Sequence, residues 1–74
     1  MIAELDTVAL ARDIPEHGLM TGDLGTVVHA YDTGQAFEVE FMTLDGTTVA
    51  VVTLDADAVR PVRAREIAHA REVA

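Results

Sequence analysis

Strict alternation of apolar and acidic residues runs through the middle of the chain. Phe37, Val39 and Phe41 alternate with Glu38 and Glu40. Alternation with a period of two is typical of a β-strand that buries one of its faces. The pattern therefore predicts a strand over residues 36–42 with both phenylalanines in the core.

Similar apolar segments, separated by turn residues, predict four more strands. They cover residues 7–11, 25–31, 47–54 and 59–62. Pro61 cannot donate a backbone hydrogen bond, so the last strand is expected at a sheet edge. Residues 15–23 contain two glycines and are predicted as a long loop.

Two short helical segments are also predicted. Residues 55–58 favour a helical turn capped by an aspartate side chain. Residues 64–72 are rich in Ala, Arg and Glu and predict a short terminal helix, although a helix of this length is marginal by itself. The fold expected is mainly β, a small five-stranded SH3-like barrel over residues 1–62 with a C-terminal helical extension over 63–74. Such barrels are usually binding modules.

Asp45-Gly46 is a strong hairpin signal that leaves the register of the fourth strand open. A two-residue loop places Ala50, Val52 and Leu54 on the core face and leaves Val49 and Val51 outside. A three-residue loop ending at Gly46 exchanges the two faces. Either register exposes an apolar face, which the chain itself, a second copy or another protein must cover.

Length and composition narrow the class of protein. Seventy-four residues are enough for one domain, and the absence of cysteine excludes disulfides. No apolar run reaches the roughly 18 residues that span a bilayer, and no basic N-terminal region precedes one. We therefore expect a cytoplasmic protein that stays off the membrane.

Charge is distributed unevenly along the chain. Residues 1–59 contain one arginine against eleven acidic residues, a net charge of −10, whereas residues 60–74 contain four arginines against two glutamates, a net charge of +2. An acidic body repels nucleic-acid phosphates and favours a basic protein partner. Acidity that serves only solubility is the simpler alternative.

No pattern of residues predicts catalysis or a cofactor. His17, His29 and His69 do not stand at the spacing of metal ligands, and no carboxylate pair forms an acid–base dyad. The glycines near Asp23 lack the lysine and the helix of a phosphate-binding loop. We expect no enzyme activity, no cofactor and no metal.

Three groups of residues are candidates for contacts with a partner. In the first loop, Glu16 and His17 precede Leu19 and Met20, which either contact a partner or tuck under the barrel. Tyr31 is the one aromatic residue expected outside the core, too few for a proline-peptide groove or for stacking of bases. Val49 and Val51 are the third group. The C-terminal arginines either bind an anion or compensate nearby glutamates.

Several short strings resemble a family of small bacterial stand-alone proteins that is catalogued as a domain of unknown function. They are residues 4–8, 15–19, 22–23, 25–28, 38–41, 45–46 and 53–54, so the resemblance covers about residues 3–62. It implies an SH3-like barrel of the kind seen in the nitrile hydratase β subunit and in KOW modules. It implies no catalytic residue, and an accessory or antitoxin-like role beside another protein.

The segment Gly25-Thr26-Val27-Val28 with the preceding Gly22-Asp23 is also similar to a KOW motif, whose members often bind RNA. This chain lacks basic residues around the segment, which disfavours nucleic acid. The leading hypothesis is a non-catalytic protein-binding module with an acidic surface. Its alternatives are a self-assembling scaffold protein and a KOW-like nucleic-acid regulator.

Overall fold

Five antiparallel strands form one sheet in the part of the chain that the structure describes. The computed structural model describes residues 1–73, in which the sheet order is β4-β3-β2-β1-β5. The strands are β1 (Thr7–Leu10), β2 (Leu24–Ala30), β3 (Ala36–Met42), β4 (Thr48–Asp55) and β5 (Val59–Pro61). The prediction of five strands in a mainly β fold is confirmed. β5 lies at a sheet edge, as the proline predicted, and β4 forms the opposite edge, so the sheet does not close.

One face of the sheet, the inner face, curves around a single apolar core. Phe37, Val39 and Phe41 are buried there, as the alternation predicted. The other core residues come from the remaining four strands and from the segments that join β1 to β2 and β4 to β5; they are Val8, Leu10, Ile14, Leu19, Val27, Leu54, Ala58 and Val59. The core thus unites residues that are up to about 50 positions apart in the sequence.

Gly25 marks the point where β2 crosses closest over this core. A Cβ atom at Gly25 would lie 2.6 Å from Cγ1 of Val39 and 2.8 Å from Cε1 of Phe41. Both neighbours are themselves buried, so they have little room to move away. Glycine is required here by close packing, not by a turn conformation.

The β3–β4 hairpin combines features of both predicted registers. The amide of Thr43 donates to the carbonyl of Thr47 (2.8 Å), and Gly46 has a φ of 88°. These features define a three-residue loop. Met42 pairs with Thr48 but Phe41 pairs with Ala50, so Val49 is an extra residue and forms a β-bulge.

Because of the bulge, the residues of β4 that follow Val49 face the sides expected for a two-residue loop. Beyond it, Val39 pairs with Val52 and Phe37 with Leu54 on the inner face. Glu40 pairs with Val51 on the opposite face. Val51 is therefore directed away from the core.

The segment between β1 and β2 is more ordered than a long loop. Pro15–His17 forms a single 3₁₀ turn, and Ile14 and Leu19 pair across it as an isolated antiparallel bridge. Asp13 accepts hydrogen bonds from the backbone amide (2.8 Å) and the hydroxyl (2.9 Å) of Thr21. These contacts close the segment into a compact flap over the core.

A second 3₁₀ turn, Ala56–Ala58, joins β4 to β5 where a helical turn was predicted. The predicted side-chain cap by Asp55 is not formed. Instead, the amide of Ala56 donates to the carbonyl of Gln35 (2.9 Å), which ties the turn to the start of β3. Nowhere in the described part of the chain is a helix long and apolar enough to cross a membrane.

Residues 62–73, which we call the tail, do not form the predicted terminal helix. Their backbone carries no regular secondary structure, with a single turn near Ala64. A segment of this length gains too little from helix propensity to hold a helix without packing support. Its charged side chains bind other parts of the chain instead. Ala74, the last residue of the predicted extension, lies outside the described residues.

Candidate interaction surface

The face of β2–β3–β4 opposite the core carries both apolar and acidic side chains. Thr26 pairs with Glu40, which pairs with Val51, and Glu38 pairs with Thr53. Because side chains alternate along each strand, the set continues to both ends of the strands. We call this set the outer face; it comprises Leu24, Thr26, Glu38, Glu40, Met42, Val51 and Thr53.

Large apolar side chains on the outer face are open to solvent. Met42 is 47% exposed and Val51 is 53% exposed, and Leu24 is exposed as well. Val49, at the bulge beside Met42, is also exposed. Grouped apolar exposure of this kind is unusual on a soluble domain and typical of an interaction site.

Glu38 is held at the centre of a hydrogen-bond network on the outer face. Its carboxylate accepts a hydrogen bond of 2.6 Å from the Thr53 hydroxyl and another of 2.6 Å from the Tyr31 hydroxyl. These two bonds, that from Thr53 first, hold the pKa of Glu38 below its usual range. The same carboxylate raises the pKa of Tyr31. Glu38 is thus a fixed negative charge beside the exposed apolar residues.

A second carboxylate and an aromatic pair extend this arrangement. Glu40 accepts a hydrogen bond of 2.7 Å from the Thr48 hydroxyl. The ring of Tyr31 meets the ring of His29 edge to face, with centroids 4.7 Å apart. His29 in turn lies 3.3 Å from the carboxylate of Glu4. Polar side chains therefore surround the apolar ones, as at the rim of a protein interface.

The two apolar residues of the first loop differ in burial. Leu19 is only 3% exposed, because its pairing with Ile14 turns it into the core, whereas Met20 is 50% exposed. Of the two interpretations, Leu19 follows the one in which it packs into the core, and its small exposed part lines the groove described below. Glu16 and His17 lie exposed on the 3₁₀ turn.

Two arginines of the C-terminal segment are engaged in ion pairs. Arg60 binds the carboxylate of Glu66 through its two Nη nitrogens, Nη2 to Oε1 at 2.8 Å and Nη1 to Oε2 at 2.9 Å. Glu66 also accepts a hydrogen bond from the backbone amide of Arg63. These contacts, that with Arg60 above all, lower the pKa of Glu66 to about 2. Arg71 binds Asp23 and thereby lowers the pKa of that carboxyl group. For Arg60 the compensating interpretation holds.

The tail and the sheet enclose a groove of about 500 Å³. Leu24, Met42 and Val49 line it from the sheet, and residues 68–73 line it from the tail. Leu19 reaches its floor. Two predicted site residues, Leu19 and Val49, thus meet at one groove, while Val51 and Tyr31 belong to the outer face and its network.

The histidines belong to three different elements: His17 to the 3₁₀ turn, His29 to β2 and His69 to the tail. Among residues 1–73, no three histidine, aspartate or glutamate side chains come close enough together to hold a metal ion. His69 lines the groove.

Two features of this surface were not predicted from the sequence. Leu24 begins β2, and its place on the outer face follows from alternation once the strand bounds are known. Met42, at the end of β3, lies outside the core, as the register with a two-residue loop predicts. The contact between Arg71 and Asp23 joins residues 48 positions apart, and no local pattern announces it.

Comparison with protein families gives a match over most of the chain. The model of the family described as Domain of unknown function (DUF4926) matches residues 4–61. No curated protein matches the chain, and no solved structure does. The matched range contains all five strands and ends at Pro61, so the tail lies beyond it.

Proposed function

We propose that this chain, which belongs to the DUF4926 family, is a non-catalytic protein-binding module whose outer face docks on a basic partner protein. The observation that carries the proposal is the exposure of Met42 and Val51 beside the carboxylates of Glu38 and Glu40. Removal of the apolar side chains from water supplies affinity. The carboxylates select a partner that presents cations.

The pre-formed network around Glu38 supports this function. Tyr31 and Thr53 orient its carboxylate before any partner arrives, so less side-chain entropy is lost on binding. The net charge of −8 extends the attraction beyond contact distance and speeds association with a basic protein. Tyr31 is also of the residue type that is enriched in interface hot spots.

The finer fold and setting belong to the same proposal. The strand order β4-β3-β2-β1-β5, curved around one core, supports an SH3-like barrel that is left open between β4 and β5. Such a barrel in the cytoplasm acts here as an accessory or antitoxin-like subunit, and Met20 extends its contact region from the first loop.

The test begins by capturing partners on the immobilised full chain and identifying them by mass spectrometry. The captured protein is then purified, and its affinity is measured for the wild type, Val51→Glu and Ile67→Glu. Both substitutions place the same charge at an exposed apolar position, but Ile67 lies in the tail and does not belong to the outer face or line the groove. We expect Val51→Glu to weaken binding at least about tenfold and Ile67→Glu to leave it unchanged.

Salt dependence checks the chemistry of the partner. Affinity for a basic partner is expected to fall as ionic strength rises from 0.05 to about 0.5 M, because screening weakens the attraction between exposed charges. Equal affinities of Val51→Glu and the wild type, or an affinity indifferent to salt, contradict the proposal.

Self-assembly is a second candidate, favoured by the unpaired edge of β4. An edge strand presents free backbone groups that a second copy can pair with, and Val51 lies on this strand. Light scattering at two concentrations distinguishes the candidates. A mass that stays that of a monomer contradicts self-assembly.

A further inference from the structure

The tail lies outside the family domain yet returns to bind it. The guanidinium group of Arg71 meets the carboxylate of Asp23 with two contacts, Nε to Oδ1 at 2.8 Å and Nη2 to Oδ2 at 2.5 Å. Nη2 also donates to the carbonyl of Gly18 at 2.9 Å. Two parallel contacts with a carboxylate are the geometry that distinguishes arginine from lysine.

The position that receives Arg71 is partly closed to water. With Arg71 in place, the side chain of Asp23 retains only 17% of its exposure. Asp23 is fixed from the other side as well, since its carboxylate accepts a hydrogen bond of 2.8 Å from the amide of Met20. A charge that is fixed and partly desolvated binds a cation more strongly than a free surface carboxylate does.

An apolar groove opens beside this anchor. Leu24, Met42 and Val49 line it from the sheet, and Ala68 and Val73 line it from the tail. The arrangement therefore combines an acceptor for an arginine with an apolar groove, and the tail fills the acceptor and forms one wall of the groove.

We propose that Asp23 and the adjoining groove form a binding site for an arginine-bearing apolar segment of a partner protein, and that Arg71 of the tail holds Asp23 until the partner displaces the tail. The inference rests on the proposed function only in taking the ligand to be a protein. The charge distribution supports it, because residues 1–59 have a net charge of −10 and the tail carries three arginines. The tail is thus itself a basic segment that binds to the acidic domain.

Tethering makes the tail an efficient competitor. A segment joined by a short linker acts at an effective concentration of about 1 mM. If a free segment binds the open groove with a Kd of about 0.1 mM, the tethered tail reduces its apparent affinity roughly tenfold. Weakening the tail by one contact therefore exposes the site to a free peptide.

The experiment uses the full chain and a labelled synthetic peptide with the sequence of residues 63–74. Fluorescence anisotropy measures peptide binding to the wild type and to Arg71→Ala, in which the tethered tail has lost its anchor. We expect Arg71→Ala to bind the peptide roughly tenfold more tightly than the wild type.

Two variants make this measurement specific. Arg65→Ala removes the same charge from a tail arginine that makes no ion pair among the described residues, and should bind the peptide like the wild type. The double variant Asp23→Asn/Arg71→Ala keeps the shape of the acceptor but removes its charge. It should therefore lose the gain in peptide affinity that Arg71→Ala shows. Circular dichroism verifies that each variant is folded.

Either of two results overturns the inference. One is that Arg71→Ala binds the peptide no more tightly than the wild type. The other is that the double variant Asp23→Asn/Arg71→Ala keeps the peptide affinity of Arg71→Ala. The groove shares Leu24 and Met42 with the outer face, but Val51 does not line it. The effect of Val51→Glu on the captured partner therefore tests the proposed function separately.

Discussion

Both faces of the β3–β4 hairpin carry apolar residues, but only one of the two faces is buried. On the inner face, Phe37, Val39 and Phe41 are excluded from water. On the outer face, Val51 and Met42 remain about half exposed on the same face as the carboxylates of Glu38 and Glu40, which hydrogen bonds orient. Apolar character alone does not decide which residues enter the core; the strand register does.

The two faces are constrained by different physics. Close packing constrains the inner face, so a change of one methyl group is felt there. The outer face is constrained only by solvation and charge, and its side chains can serve a partner without cost to the fold. Substitutions that treat the two faces alike test this distinction.

The largest expected effect comes from Leu19, which contributes to the inner core from the first loop. Leu19→Asp buries an unpaired carboxylate and should destabilise the domain by about 3 kcal/mol or more, enough to unfold much of a chain this small. Met20→Asp is the matched control and should change the free energy of unfolding by less than about 0.5 kcal/mol. Urea denaturation followed by circular dichroism measures both, and similar stabilities would contradict the burial of Leu19.

The next effect is expected at Gly25. A methyl group there would collide with Val39 and Phe41, so Gly25→Ala should cost about 1–3 kcal/mol of stability. In the double variant Gly25→Ala/Val39→Ala, the truncated neighbour makes room for the new methyl group. Its stability should exceed the value expected from adding the two single effects. Strict additivity of the two changes would contradict the close approach.

A valine-to-threonine substitution on each face compares the burial of the two positions directly. Val39→Thr places a hydroxyl group in the core and should cost about 1–3 kcal/mol. Val51→Thr places it in water and should change stability by less than about 0.5 kcal/mol. Thermal unfolding of the two variants gives the difference, and equal costs would mean that Val51 is buried.

The smallest effect concerns the tail and its acid sensitivity. The folded pKa of Glu66, about 2, lies below its ordinary value of 4.5, so its ionised contacts stabilise the tail fully above that value. This contribution is lost as the pH falls through about 2. The amide signal of Arg63 in NMR spectra should change with a midpoint near pH 2. Glu66→Gln should remove the transition, whereas a midpoint near 4.5 in the wild type would contradict the pairing.

The strand pattern was predictable because alternation survives in the sequence. β3 has the predicted bounds, and Phe37 and Phe41 are in the core, because acidic residues between them leave a single possible inner face. The register of β4 was not predictable. Residues 49–52 are all apolar, so only the bulge at Val49, a property of the paired strands, assigns their faces.

Long-range contacts explain the remaining differences. The composition of the tail favours a helix, but Arg71 binds Asp23, and tertiary contacts override a weak propensity. Leu19 and Met20 are adjacent and equally apolar, and only the bridge to Ile14 separates their roles. The outer face was partly predicted through Val51 and Tyr31, whereas the hydrogen bonds that orient Glu38 depend on Thr53, fifteen residues away.

The most direct test of the central claim is a methyl NMR titration of the full chain with the captured partner. If the outer face is the docking surface, the methyl signals of Met42 and Val51 shift on binding, while those of Val8 and Val39 in the core stay in place. Shifts that leave Met42 and Val51 unchanged and appear elsewhere on the domain would contradict the account.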